Sequence, residues 1–186
     1  MAFRLEHTGT PLPFDRMPLV GERLMRNNLA ALVAGSAVAL AQGVGARANP
    51  TPDHPRTAAW YASLRKPSFT PPGPVFGIAW TSLDILLGFT GYRILKAGPS
   101  TARTAALSAW GANLLGIAGF SWVLFGRKQL GEALGVSAAM VATSAATVTT
   151  AAMVVRKATY ASIPLLAWVI FATALQEEVW RRNPGR

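Results

Sequence analysis

The chain contains no cysteine and only two histidines, His7 and His54. The lack of cysteine excludes a disulfide framework, a thiolate nucleophile and a zinc–thiolate site. Two histidines are too few for a multi-histidine metal centre, and both lie in polar segments. The sequence therefore predicts no catalytic residue and no metal ligand.

Charged residues are also scarce, since they make up 14% of the 186 residues while 51% are hydrophobic. The mean hydropathy is positive, +0.30, which is unusual for a soluble domain. A net charge of +10 would suit a nucleic-acid partner. However, the basic residues form small groups between long uncharged stretches, as charges that flank membrane spans do. We therefore expect contact with membrane lipid and no nucleic-acid binding.

Five stretches are long enough to cross a bilayer as helices. A helix rises 1.5 Å per residue, so a ~30 Å hydrocarbon core requires about 20 residues. Four stretches carry no charge, and the fifth carries only Asp84. Because helices pair their own backbone groups within lipid, the sequence predicts an all-α membrane domain over residues 27–183. Its five transmembrane helices are expected at 27–46, 71–95, 104–126, 133–155 and 158–180.

The two ends of the chain are predicted to lie outside the bundle. Residues 1–26 contain three prolines and charges of both signs, so this tail is expected to be flexible or interfacial; residues 184–186 form a short C-terminal tail. The first span and the residues 46–48 also resemble a cleaved signal peptide, but the long leading segment and the full-length apolar run favour a retained span. Nine Lys/Arg fall on each side, which leaves the orientation open.

The segment from Trp60 to Trp80 is rich in proline and aromatic residues. Its four prolines forbid a regular helix through the first half, and Pro71 and Pro72 are typical of a helix start. We expect a long loop that is ordered by proline and anchored by Trp60 and Tyr61. This loop either forms an interfacial aromatic belt or covers a cavity between helices.

Two spans present aromatic residues at helical spacing. Phe76, Trp80 and Asp84 share one face of the second span, and Trp168 and Ala172 share one face of the fifth. A tryptophan beside a small residue makes a flat recess that suits a planar apolar ligand. Ordinary helix packing explains the same spacing, so both interpretations stay open.

Asp84 is predicted to lie in the middle of a span, where a carboxylate costs about 2.5–3.5 kcal/mol unless it is paired, hydrated or protonated. One interpretation is that it lies near the end of a proline-started helix or pairs with Arg93 or Lys96. The other is a polar contact inside the bundle for a ligand amine, a pyrrole N–H or a proton. Small residues in the third and fourth spans favour close helix packing, and they are also compatible with a homodimer.

Three segments carry a resemblance to a known family. The pattern WY-x2-L-x-KP-x-F-x-PP-x2-VF-x2-AW-x-S-L spans residues 60–83, FSWVLFGRKQL spans 120–130, and P-x-L-x-W-x2-FA-x2-L spans 164–175. These residues resemble the tryptophan-rich sensory (TspO/MBR) proteins, the translocator or peripheral benzodiazepine receptor group. The resemblance covers roughly residues 29–183 and implies a five-helix bundle, commonly dimeric.

The resemblance also implies a cavity beneath the first loop that binds tetrapyrroles such as porphyrin and haem, the expected ligands of this chain. Carried over to this sequence, and with Asp84 added from its position in the span, the ligand-binding residues are Trp60, Tyr61, Pro72, Trp80, Asp84, Asn113, Phe120, Trp168 and Ala172. The chain departs from the family pattern at five positions where an aromatic side chain or an asparagine is usual. These departures are Ser68, Asp84, Ile117, Leu165 and Gln176.

The leading functional hypothesis is a multi-pass protein of a bacterial cell membrane that binds a tetrapyrrole or a similar flat apolar molecule between its helices. Its role would be sensory, regulatory or transport. One alternative is a non-catalytic regulatory or scaffold protein with a degenerate pocket, which the departures motivate. Another is a light-dependent porphyrin-degrading enzyme, in which chemistry would run through tryptophan oxidation because no hydrolytic constellation is present.

Overall fold

The computed structural model describes residues 20–185. Within them, six α-helices and one π-helical turn account for the regular structure. The helices are α1 (Val20–Ala46), α2 (Pro55–Ser63), α3 (Gly73–Leu95), α4 (Thr101–Ser121), α5 (Leu130–Ala152) and α6 (Arg156–Arg182), and the π-helical turn (Trp122–Gly126) continues α4. Five of these helices, with α2 excepted, are long and apolar enough to cross a membrane. This confirms the predicted all-α, five-span architecture.

Helix boundaries follow local sequence signals. Ser100 caps α4, because its side chain accepts the backbone N–H of Arg103 at 3.1 Å. Pro72 precedes the first residue of α3, and Pro74 lies in its first turn, where proline costs no helical hydrogen bond. Helix α1 begins at Val20, earlier than predicted, because a helix can continue into polar residues beyond the hydrocarbon core. Residues 20–26 of the predicted tail are therefore helical, whereas residues 1–19 lie outside the described part.

The five long helices form a closed ring in the order α1–α3–α6–α5–α4. Packing is most extensive between α5 and α6 and between α4 and α5, and it is sparser where α3 meets α1 and α6. Helices α3 and α4 also touch across the ring, where the indole of Trp110 donates to the carbonyl of Leu87 at 2.9 Å. This contact requires Gly91, since a Cβ there would lie 2.4 Å from Trp110 Cζ2.

The predicted loop after the first span contains the short helix α2, which begins with Pro55. It follows a turn in which His54 Nδ1 lies 3.2 Å from Thr51 Oγ1 and 3.1 Å from the Asn49 carbonyl oxygen. Helix α2 lies at the end of the bundle where α4 passes into α5. Trp60 and Tyr61 are both on α2, so the aromatic residues of the loop are presented from a helix.

Candidate functional site

A groove runs between α3 and α6 and opens on the outer face of the bundle. Its volume is about 560 Å³, which lies within the range of small-molecule pockets. The only hydroxyl in its wall, that of Ser82, donates to the Ile78 carbonyl at 3.0 Å, so the surface is effectively apolar. The groove is lined by Pro71, Ala79, Ser82, Leu83, Leu86, Pro164, Ala167, Trp168 and Phe171.

Prolines and small residues keep the two helices from filling this groove. Pro164 lies inside α6, where proline removes one backbone hydrogen bond and crowds the carbonyl four residues earlier. Ala79 and Ala167 contribute only methyl groups to the wall. The spacing of the lining residues is helical on both sides, at 79, 82, 83 and 86 and at 164, 167, 168 and 171.

Trp168 is the centre of an aromatic cluster that continues the groove toward the loop. Its ring lies 5.7 Å from that of Phe76 in an edge-to-face arrangement and 5.5 Å from that of Phe171. Phe69, from the proline-rich loop, contacts Phe171 at 6.4 Å. Trp168 and Phe171 therefore belong both to the open groove and to the cluster beneath the loop.

Among the described residues, two buried side-chain polar atoms have no hydrogen-bond partner, Asn49 Oδ1 and Trp168 Nε1. A buried donor without an acceptor costs on the order of 1–3 kcal/mol, so native proteins usually pair it. The indole N–H of Trp168 is thus a buried donor with unused bonding capacity, on a side chain that lines the groove.

The loop is held onto the bundle by aromatic and cationic contacts. Tyr61 packs edge-to-face on Phe125 of the π-helical turn, with 5.4 Å between ring centroids. The amine of Lys66 donates to the Tyr61 carbonyl and lies 4.4 Å from the Tyr61 ring centroid. Burial raises the pKa of the Tyr61 phenol and lowers the pKa of the Lys66 amine. Lys128, at a positive φ of 58°, places its amine 5.7 Å from the Trp60 ring.

A buried asparagine joins the far end of the loop to α6. Asn183 Oδ1 accepts the backbone N–H of Arg65 at 3.0 Å, and Asn183 Nδ2 donates to the Arg65 carbonyl at 2.9 Å. The same amide nitrogen also donates to the Val179 carbonyl at 2.7 Å. The position of the loop over the bundle is therefore fixed to the C-terminal end of α6.

The predicted ligand residues are divided among different places. Trp168 lines the groove. Trp60, Tyr61 and Phe120 pack, with Phe76 and Phe171, around the buried Leu124–Leu130 region at the loop end of the bundle. Trp80 packs on the central core, Pro72 is exposed at the start of α3, and Ala172 is partly buried on α6.

Asp84 lies on the opposite flank of α3 from the groove. Successive helix residues are about 100° apart, which sets Asp84 on the far side from Ala79 and Leu86. Its carboxylate accepts a 2.7 Å hydrogen bond from Gln42 Nε2 on α1. The alternative prediction, a pair with Arg93 or Lys96, is therefore wrong, because α1 supplies the partner within the membrane.

Asn113 is fully buried between α4 and α5. Its amide donates to Thr147 Oγ1 at 2.9 Å, and its carbonyl oxygen accepts from Ser144 at 2.7 Å and from Thr143 at 3.1 Å. A further bond runs from Nδ2 to the Ala109 carbonyl at 3.2 Å. The side chain is therefore engaged in joining two helices and does not line the groove.

Sequence reasoning did not select most of the groove wall. The missed residues include the prolines and alanines, which carry no chemistry of their own. Their helical spacing was a usable signal, since Pro164, Ala167 and Phe171 stand at three- and four-residue intervals on the face of Trp168. The spacing alone does not show which helix lies next to this face of α6, so it could not predict the groove.

Comparisons with known proteins agree with this architecture. The sequence profile of the TspO/MBR family matches residues 37–181. The chain is 35% identical over 131 residues to the translocator protein of Homo sapiens, an alignment that covers 68% of this chain and 76% of that protein. It is 34% identical over 127 residues to the tryptophan-rich sensory protein of Cereibacter sphaeroides, covering 68% and 78%. It is 30% identical over 128 residues to protein CrtK of Rhodobacter capsulatus, covering 68% and 80%.

The profile match extends over more than half of the chain, from within α1 to the last turn of α6. The five long apolar helices form the five-helix bundle that the resemblance implied. This multi-pass membrane protein belongs to the TspO/MBR family.

Proposed function

We propose that this protein is a membrane receptor that binds a tetrapyrrole, or a similar flat apolar molecule, against Trp168 in the groove between α3 and α6. Binding beneath the loop that carries α2 would serve a sensory, regulatory or transport role. The observation that carries the proposal is the buried, unpaired indole N–H of Trp168 in an aromatic wall.

The shape and chemistry of the groove favour a planar ligand. The ring centroids of Phe76 and Phe171 lie 5.7 and 5.5 Å from that of Trp168, an arrangement that can extend to a further π system. The groove opens toward lipid, so an apolar molecule dissolved in the bilayer reaches it without crossing water.

The polar requirement of the site is a single acceptor. The Trp168 N–H can donate one hydrogen bond, and the Ser82 hydroxyl is already used within α3. A tetrapyrrole combines an extended π face with carboxylate oxygens on its side chains, so it supplies both the stacking surface and the acceptor. A purely hydrocarbon ligand would leave the indole N–H unpaired, at a cost in affinity.

The names of the relatives indicate which roles to consider for this protein. One relative is a tryptophan-rich sensory protein and others are translocator proteins. A receptor whose groove faces the bilayer is compatible with both, because release of a bound ligand to another protein or across the membrane starts from the same complex. The chemistry of the groove itself supports binding.

A titration with protoporphyrin IX tests the proposal. The full-length protein in detergent is titrated while the porphyrin absorbance band is followed, which reports binding without relying on the protein's own fluorescence. Trp168→Phe keeps an aromatic ring and removes the N–H, so we expect the Kd to rise about five- to tenfold. Trp122→Phe is the matched control, because Trp122 is 56% exposed on the outer surface and does not line the groove.

Saturable binding that Trp168→Phe weakens and Trp122→Phe leaves within twofold supports the proposal. Equal effects of the two substitutions, or an unchanged Kd in both, would place the porphyrin elsewhere on the protein. The variants must first show the same thermal unfolding as the unsubstituted chain, so that a change in affinity is not a change in folding.

A regulatory scaffold is the second candidate. The observation that favours it is the engagement of two predicted ligand residues elsewhere, since Asn113 bonds to α5 and Asp84 to α1. A scaffold would show no saturable porphyrin binding in the same titration, and its partner would then be sought by crosslinking in native membranes.

A further inference from the structure

A second concave site lies at the end of the bundle where the loop meets the C-terminal end of α6. It is a cavity of about 230 Å³, lined by Ser63, Arg65, Arg182, Asn183 and Pro184. None of these residues lines the groove between α3 and α6. The two cavities therefore differ in both position and lining, and only this one contains cationic side chains.

The two arginines of this site come from distant parts of the sequence and are brought together by Asn183. Its amide exchanges two hydrogen bonds with the backbone of Arg65, and Asn183 directly follows Arg182 in the chain. Asn183 is only 6% exposed and is tied to the Val179 carbonyl as well. The placement of Arg65 and Arg182 beside the same cavity is thus set by hydrogen bonds between Asn183 and the Arg65 backbone, and it does not depend on contacts between exposed side chains.

Positive charge is in excess at this site. Among residues 20–185, Arg65 makes no ion pair. Arg182 Nε lies 3.0 Å from Glu178 Oε2, and Glu178 also faces Arg181 at 3.5 Å. One carboxylate therefore meets two guanidinium groups and Arg65 adds a third, so among residues 20–185 the positive charge at this cavity exceeds the negative charge.

The site lies at the depth of lipid headgroups. Arg182 is the last residue of α6, a helix long enough to span the bilayer. Trp180 is 45% exposed and lies two residues before this end, which is the usual depth of an interfacial tryptophan. At this depth lipid phosphates are present at high local concentration, whereas a soluble anion must compete for the site from dilute solution.

We propose that Arg65 and Arg182 form a binding site for the phosphate group of an anionic lipid. A guanidinium group offers paired N–H donors that match two oxygens of a phosphate, and two such groups can share one phosphate monoester. Phosphatidic acid carries its phosphate monoester directly beneath the surface and leaves it accessible, so it is the lipid class that the site fits best. Neutral lipids with a bulky choline group fit it worst.

The experiment measures lipid preference in vesicles of dioleoylphosphatidylcholine that contain the full-length protein. Brominated phosphatidic acid is added to the vesicles, and the quenching of tryptophan fluorescence is measured. The quenching gives the association constant of phosphatidic acid relative to that of brominated phosphatidylcholine. Trp180, two residues before Arg182, is the tryptophan nearest to the site in the chain. Arg65→Gln and Arg182→Gln are each expected to lower the preference for phosphatidic acid about fivefold. Neither substitution touches the backbone bonds to Asn183.

Arg181→Gln is the matched control. Arg181 carries the same charge on the same helix turn and shares Glu178, but it does not line the cavity. Preserved preference in Arg181→Gln, together with loss in Arg65→Gln and Arg182→Gln, supports the site. Equal losses in all three variants would show only a diffuse attraction to anionic lipid and would overturn the proposal.

Inorganic phosphate, added in excess, separates the two sources of this chemistry. If it leaves the quenching by brominated phosphatidic acid unchanged, the lipid is the ligand. If it displaces the lipid in the unsubstituted protein, the site takes free phosphate and the lipid assignment is wrong. The substituted residues Arg65, Arg181 and Arg182 do not line the α3–α6 groove, so the differences between these variants are independent of porphyrin binding there.

Discussion

The contact between α4 and α5 and the contact between α3 and α6 represent opposite ways of joining membrane helices. In the first, the buried side-chain amide of Asn113 forms hydrogen bonds with three hydroxyl groups of α5. The second leaves a groove of about 560 Å³ whose wall is apolar. Lipid offers no hydrophobic drive for helix association, so a seam that lacks polar bonds and close packing can stay open. The comparison suggests that one side of the ring supplies stability and the other supplies binding.

The largest expected effect comes from Gly91→Ala, which tests the contact that joins α3 to α4 across the ring. The added Cβ would lie 2.4 Å from Trp110 Cζ2 and 2.6 Å from Cε2, and a buried indole ring cannot yield by rotating a flexible end. We expect a loss of about 3 kcal/mol in the free energy of unfolding. Titration with sodium dodecyl sulfate in mixed micelles measures it.

Gly88→Ala is the control on the same helix, since nothing lies within 4 Å of its added Cβ. Because alanine is the better helix former, this variant should be neutral or slightly more stable. Equal destabilisation by both variants would mean that α3 does not pack on Trp110 as described.

Asn113→Leu removes the polar bonds of the closed seam. The hydroxyl groups of Ser144 and Thr147 would lose their partner amide in a fully buried position, so we expect a loss of about 2 kcal/mol in unfolding free energy. Porphyrin affinity should change less than twofold. Ser108→Leu on the exposed face of the same helix is the control. If the variant has normal stability but no longer binds porphyrin, Asn113 is a ligand-binding residue and the structural role described for it is wrong.

Ala167→Phe tests the open seam directly. A phenyl ring at this exposed position of the groove wall would occupy the space of the ligand without disturbing the buried core. We expect the Kd for protoporphyrin IX to rise about tenfold, equivalent to about 1.4 kcal/mol. Ala139→Phe places the same ring on an exposed position of α5, which does not line the groove, and should leave the Kd unchanged. Equal binding by both variants would show that the groove is not the site.

The smallest expected effect concerns the contact between α1 and α3. A double-mutant cycle with Gln42→Leu and Asp84→Leu isolates the single hydrogen bond that joins these side chains. Interhelical bonds in membranes are modest, so we expect a coupling free energy of about 1 kcal/mol. The double variant should be no less stable than Gln42→Leu, which leaves the carboxylate without its donor. Additive effects of the two substitutions would contradict the contact.

The five spans were predictable because their signal is local. Only long stretches with few charges are stable within hydrocarbon, so the intervals between the basic groups predict where the helices lie. The predicted bounds agree with the structure to within a few residues, except at the start of α1. Helix α2 was not predicted, since nine residues carry little periodicity and Pro55 was the main sign of its start. The early start of α1 was missed because charged residues at a helix end are compatible with both a helix and a tail.

The site was predictable only where the pattern lies within one helix. The face of Trp168 could be derived from its own spacing, and the groove includes that residue. The partners of Asp84 and Asn113 depend on which helices are neighbours in the ring, and this order is not encoded in the periodicity of any one span. The same limit explains why Pro164 and Ala167 were not selected, since a groove exists only between two helices.

The π-helical turn at Trp122–Gly126 has a consequence for how the sequence can vary. Its wide turn carries one more residue than an α-helical turn, and the Arg127 N–H accordingly reaches the Trp122 carbonyl at 2.9 Å, five residues back. Deleting a single residue here would restore regular winding and rotate everything beyond it by about 100°. Phe125 would then move away from Tyr61, and their edge-to-face contact would be lost. The segment borders a short link between helices, and such links usually tolerate changes in length. The geometry therefore constrains the number of residues at this point, and we expect insertions and deletions to be better tolerated in other links of the chain.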